Sequence, residues 1–81
     1  MKVRVRAFAA LREVLGSQDL EVELEPDTTV ATLWEQFVDA NHRLAPFTDS
    51  LNFAVNHNFV SRDQKLSPGD EVAFLPPVSG G

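Results

Sequence analysis

Two short stretches near the start of the chain alternate apolar with charged residues, and they do so with opposite signs of charge. Val3, Val5 and Ala7 alternate with Lys2, Arg4 and Arg6, whereas Leu20, Val22 and Leu24 alternate with Glu21, Glu23 and Glu25. A period of two is the signature of a strand with one buried face. Paired antiparallel, the two would set a basic row against an acidic row on one exposed surface, each opposite-charge pair contributing a few tenths to about 1 kcal/mol. The same pairing accounts for a segregation of charge. Residues 1–12 carry Lys2, Arg4, Arg6 and Arg12 and no acid, while from Glu13 to Asp39 there are eight acids and no Lys or Arg. Exposed ion pairs are mostly solvated scaffolding, so a hairpin zipper explains the pattern better than a charged docking face.

The rest of the chain fits around that hairpin. Leu11, Val14 and Leu15 fall at i, i+3 and i+4 ahead of Gly16, which predicts a short helix between the two strands. Pro26-Asp27 ends the second strand, and Thr28 or Thr29 can cap a following helix with its hydroxyl. Val30, Leu33, Trp34, Phe37 and Val38 then recur at helical spacing and demand a surface to bury them, which the apolar faces of the strands provide. Residues 43–50 show no periodicity and read as a connector. Leu51 to Val55 reads as a strand, Asn56-His57-Asn58 as a turn, and Phe59-Val60 as a short strand. Ser67-Pro68-Gly69-Asp70 fits a type II turn before the last strand, Glu71–Leu75, which Pro76-Pro77 stops. The expected fold is α+β: a mixed β-sheet with one main helix packed on one face and a short helix after strand 1.

At 81 residues the chain is one domain, too small for separate substrate and cofactor domains. It lacks cysteine, hence any disulfide, thiolate metal site or cysteine nucleophile. A net charge of −5 argues against a nucleic-acid partner. No apolar run approaches a membrane span and the N-terminus lacks the core of a signal peptide, so a soluble cytoplasmic protein is expected. His42 and His57 sit apart in predicted loops without ligand spacing, and the alternating carboxylates of residues 19–25 lie on a strand rather than in a cleft. No phosphate-cradling glycine motif occurs. These features predict no metal site and no catalytic centre in the body.

The end of the chain is different. Pro76-Pro77-Val78-Ser79-Gly80-Gly81 follows directly on a core strand. The two prolines stiffen the exit, and two residues without Cβ atoms allow close approach by another protein's backbone. Extended, residues 77–81 reach roughly 16–18 Å, enough to enter a neighbour's active site. The expected division is therefore a body of residues 1–76 and a flexible functional tail of residues 77–81. An α-carboxylate is ionised at neutral pH and is a poor acyl electrophile. Activation as a mixed anhydride, such as an acyl-adenylate formed with ATP, would let sulfide, a thiol or an amine displace AMP.

Val55-Asn56, the run PGDEVAFLPPVSGG from Pro68 to Gly81, and Phe8-Ala9, Leu11-Arg12-Glu13 and Gly16 near the start together resemble the family of molybdopterin synthase small subunits. These are sulfur carriers of the ubiquitin-like β-grasp fold, and the similarity spans essentially the whole chain. Members often carry Phe where this chain has Leu75, and Ala or Thr in place of Ser79. The resemblance implies that Gly81 is adenylated by an E1-like activating enzyme that consumes MgATP, then converted to a thiocarboxylate. Pro76, Pro77, Val78, Ser79 and Gly80 would carry it into a large catalytic subunit, where sulfur passes to precursor Z to build the dithiolene of the molybdenum cofactor. No cofactor would be bound stably, and the small subunit would not be an enzyme on its own. The family implies a heterotetramer of two small and two large subunits. Family positions matching Phe8, Phe59 and Leu75 form a partner-facing patch, in keeping with strand parity, which turns Leu75 outward when Val72 and Phe74 point inward. Sulfur carriers for thiamine or tRNA thiolation are related alternatives. A protein modifier joined to lysines and a β-grasp interaction module without terminal chemistry are the others.

Overall fold

A computed structural model describes residues 1–77. The predicted sites Val78, Ser79, Gly80 and Gly81 lie outside the described residues. In chain order the elements are β1 (Lys2–Ala7), α1 (Ala10–Leu15), β2 (Asp19–Glu23), α2 (Val30–Ala40), a 3-10 helix (His42–Phe47), β3 (Asn52–Val55), β4 (Asn58–Val60) and β5 (Glu71–Leu75). The strands form one mixed sheet in the order β2-β1-β5-β3-β4. β1 and β5 run parallel, and the other pairs are antiparallel.

The hairpin is antiparallel and sets a basic row against an acidic one, as expected, with Asp19 rather than Glu25 completing the acidic row. Arg4 stands opposite Glu21 and Arg6 opposite Asp19, while Val3 faces Val22 and Val5 faces Leu20. Ion pairs follow at 3.7 Å between Lys2 and Glu21, 3.2 Å between Arg6 and Asp19, and 3.1 Å between the Met1 ammonium and Glu23. β2 stops at Glu23, so Leu24 and Glu25, which the alternation predicts in the strand, fall beyond it, although the Leu24 N–H still donates to the Met1 carbonyl at 2.7 Å.

One face of the sheet and one face of α2 make the core. Val3 and Val5 of β1, Phe53 of β3, Val72 and Phe74 of β5, and Val30, Leu33 and Trp34 of α2 are all buried. Trp34 packs edge-on to Phe74 and Phe53 with ring centroids 5.1 and 6.2 Å apart. Its indole N–H donates to the Thr48 hydroxyl at 3.0 Å, so the polar end of the ring is also satisfied. Thr29 caps α2 by accepting from the Thr32 N–H.

Residues 61–66 also serve this helix. The N–H groups of Val30 and Ala31, which have no partner within the helix, donate to the carbonyls of Gln64 and Arg62 at 2.9 and 2.8 Å. The segment predicted as a connector is ordered by a 3-10 helix. Asn41 opens it by accepting from the Arg43 N–H, and Leu44 within it is buried. Ala9, ahead of α1, has φ 52° and ψ −128°, a region that costs a residue with a Cβ about 1–3 kcal/mol.

Candidate functional site: the last strand and the sheet face beside it

The described residues that lead into Pro76 and Pro77 belong to β5. The turn before it is fixed by Gly69 at φ +83°, a conformation suited to glycine, and by an Asp70 N–H bond to the Ser67 carbonyl at 3.1 Å. Asn56 ties this turn to the β3–β4 hairpin. Its side-chain N–H donates to the Asp70 carboxylate at 2.9 Å, and its side-chain oxygen accepts from the Glu71 N–H at 3.0 Å. Asn56 and His57 take positive φ values of 51° and 72°, matching the predicted turn. The Asn56 and Pro68-Gly69-Asp70 motif is therefore a clamp that fixes where β5 begins.

β5 then runs between β1 and β3, paired on both sides, with Ala7 opposite Phe74 and Asn52 opposite Leu75. Pro76 lacks the N–H needed to continue the ladder, so pairing ends there. Pro76 is half-buried and Pro77 exposed. They line an open groove of about 540 Å³ together with Ala9, Pro46 and Phe47.

The sheet face away from α2 carries the three predicted contact residues. Phe8 is 37% exposed, Phe59 is 77% exposed and Leu75 is half-buried. All three border one shallow hollow of about 210 Å³. Its floor is Ala54 and Ala73, direct partners across β3 and β5, and Phe59 stands opposite Ala54 on β4. Two methyl side chains in adjacent strands leave the depression, and the larger residues around it form the walls.

Sequence reasoning missed the floor and the polar rim. The signal for Ala54 and Ala73 was present: each is the small residue between two inward-facing large ones, at Phe53/Val55 and Val72/Phe74. The rim is Arg6, Glu71 and His57. The Arg6 guanidinium lies 3.2 Å from Asp19, 3.9 Å from Glu71 and 5.6 Å from the centre of the Phe8 ring, and His57 approaches Glu71 at 3.5 Å. At 3.2 Å from Asp19 the buried Arg6 Nε is within ion-pair reach but lacks hydrogen-bond alignment.

This geometry suits an apolar side chain from another protein and is too shallow to enclose a small substrate. Among the described residues no three His, Asp or Glu side chains gather as a metal site, and no helix is long and apolar enough to cross a membrane. His42 begins the 3-10 helix and takes no part in the hollow.

The model of the ThiS family matches residues 5–81. The molybdopterin synthase sulfur carrier subunit of Escherichia coli (strain K12) is 38% identical over 80 residues, covering 98% of this chain and 99% of that one. Small archaeal modifier protein 1 of Haloferax volcanii is 32% identical over 84 residues, covering 94% and 97%. The crystal structure of SAMP1 from Haloferax volcanii superposes with a TM-score of 0.86 at 30% identity over 100% of both chains. These neighbours share the ubiquitin-like β-grasp architecture described above.

Proposed function

The chain belongs to the ThiS family, and from that premise we propose that it is the sulfur carrier subunit of a molybdopterin synthase. The observation that carries this reading is a full-length match to sulfur carrier subunits in which the family similarity runs through the tail to residue 81. Gly81 supplies the reacting carboxylate. Its oxygen attacks the α-phosphorus of ATP in an activating enzyme and releases pyrophosphate. Sulfide equivalents then displace AMP to leave a thiocarboxylate. Residues 77–81 extend into the large subunit, and sulfur passes to precursor Z. The chain is a reactant and a subunit, and the partner builds the catalytic pocket.

The body's task in this scheme is aim. β5 holds the root of the tail, and the Phe8, Phe59 and Leu75 hollow seats an apolar side chain of the large subunit beside it. Leu75→Glu is expected to weaken large-subunit binding at least about tenfold, because it sets a charge against an apolar contact. Leu75 is the half-buried last residue of β5, so the fold survives. Calorimetric titration with the large subunit measures the effect, and an unchanged Kd removes Leu75 from the interface.

The proposal is tested by reconstitution with a large subunit, an activating enzyme, MgATP and sulfide. The expected results are molybdopterin formation and an oxygen-to-sulfur mass change in the C-terminal peptide. A second reading, a protein modifier, is favoured by the similarity to small archaeal modifier protein 1. Branched peptides joining Gly81 to lysines, without product formation in the reconstitution, would select it instead.

A further inference from the structure

The hollow beside β5 has an uneven border, and the unevenness follows a single row of residues across the sheet. Asp19 on β2 stands opposite Arg6 on β1, Arg6 opposite Ala73 on β5, Ala73 opposite Ala54 on β3, and Ala54 opposite Phe59 on β4. Residues directly opposite one another in a ladder share a face of the sheet. The row therefore passes from a carboxylate to a guanidinium, then to two methyl groups and an exposed ring. Arg6 is where the charged half of this face meets the apolar half, and it borders the hollow directly. A partner side chain seated on Ala54 and Ala73 has Arg6 as its immediate neighbour.

The Arg6 guanidinium is poorly satisfied by its own chain. It lies 3.2 Å from Asp19 and 3.9 Å from Glu71, yet it donates no hydrogen bond among the described residues, and its Nε atom is buried without an acceptor. The side chain is 31% exposed, so in the free chain solvent can serve its outward N–H groups. A large subunit that covers Phe8, Phe59 and Leu75 removes that solvent. A donor buried without an acceptor then costs more than the hydrogen bond it forgoes, so the partner must bring an acceptor. Charge decides which kind. Asp19 and Glu71 already set two carboxylates beside one guanidinium. A third carboxylate would meet like charge, whereas a neutral carbonyl oxygen would not.

We propose that Arg6 is a specificity-determining contact, whose guanidinium donates to a neutral carbonyl oxygen of the large-subunit segment that seats its apolar side chain on Ala54 and Ala73. The inference rests on the sulfur-carrier reading, in which the large subunit covers this face. It adds a selection that apolar fit alone lacks. A segment that fills the hollow without an acceptor leaves Arg6 buried and unpaired, and one that brings an acid is repelled by Asp19 and Glu71.

The test is calorimetric titration of the full chain with the large subunit, beside thermal melts of each free variant. Arg6→Leu extends the apolar floor but leaves the partner's carbonyl without a donor, and should weaken binding by about tenfold. Arg6→Lys keeps a cation next to Asp19 and Glu71 but loses the planar fork, and should weaken it by about threefold. If Arg6→Leu lowers the melting midpoint, Arg6→Lys decides the matter alone. Because the acceptor is neutral, the ratio of variant to unsubstituted Kd should stay within about twofold between roughly 0.05 and 0.5 M salt. Binding by both variants as tight as that of the unsubstituted chain, or tighter, overturns the inference and leaves the carrier reading standing. A ratio that shrinks severalfold at high salt reveals a partner carboxylate and also overturns it. Failure of the unsubstituted chain to bind the large subunit overturns both.

Discussion

Removal of Gly81 is expected to reduce sulfur delivery by about a hundredfold or more while leaving the folded body and its affinity for the large subunit unchanged. The truncated chain still ends in a glycine, Gly80, with an equally unhindered carboxylate. What changes is reach: one extended residue is worth about 3.3–3.6 Å. A reacting group displaced by as little as about 1 Å can lose a factor of 10² in rate, and here the acyl carbon falls short by several times that. The core residues lie between Val3 and Phe74 and pack without the tail. The measurements are molybdopterin formation in the reconstituted system, circular dichroism, and titration with the large subunit. Lost activity with intact binding assigns the chemistry to the terminus. Full activity after deletion would reject both the carrier and the modifier readings.

Trp34→Ala is expected to be the most damaging substitution in the body, at about 3–5 kcal/mol. A domain of this length is stable by only about 4–12 kcal/mol, so the loss removes much of the total. The midpoint of thermal unfolding should fall by roughly 15–35 °C. Three effects combine. The substitution empties the space at the centre of the aromatic cluster, removes edge-on contacts with Phe53 and Phe74, and leaves the Thr48 hydroxyl without its indole donor. Trp34→Phe keeps a ring but not the N–H, and should cost less than half as much. Thermal melts followed by far-ultraviolet circular dichroism compare the two. Equal losses would show that the hydrogen bond to Thr48, rather than packing, dominates at this position.

The elements that alternate or repeat strongly were legible in the sequence. The antiparallel pairing of β1 with β2 followed from charge and parity, and α2 followed from its stripe behind a cap at Thr28 or Thr29. Outward placement of Phe8 and Leu75 came from the same parity. Three features were not legible because their cause is tertiary. The 3-10 helix has too few residues to show a period, and it exists because Leu44 is buried and the Asn41 side chain starts the turn. Residues 61–66 carry no pattern of their own and are ordered by donors at the start of α2. Ala9 adopts a backbone conformation that its own side chain disfavours, which no propensity predicts. The hollow itself was half legible: its walls were named, whereas its floor of Ala54 and Ala73 needed the pairing of β3 with β5 to bring two small residues side by side.

The central position of β5 has a mechanical consequence. A partner that draws the tail inward pulls on Leu75 along the direction of the strand. That load is shared at once by the ladder to β1 and the ladder to β3. Hydrogen bonds on both sides must then yield together in shear, whereas a tail rooted on an edge strand such as β2 or β4 could be peeled open one bond at a time. In the proposed carrier role, a pull on the C-terminal residues would therefore not be spent on unravelling the sheet.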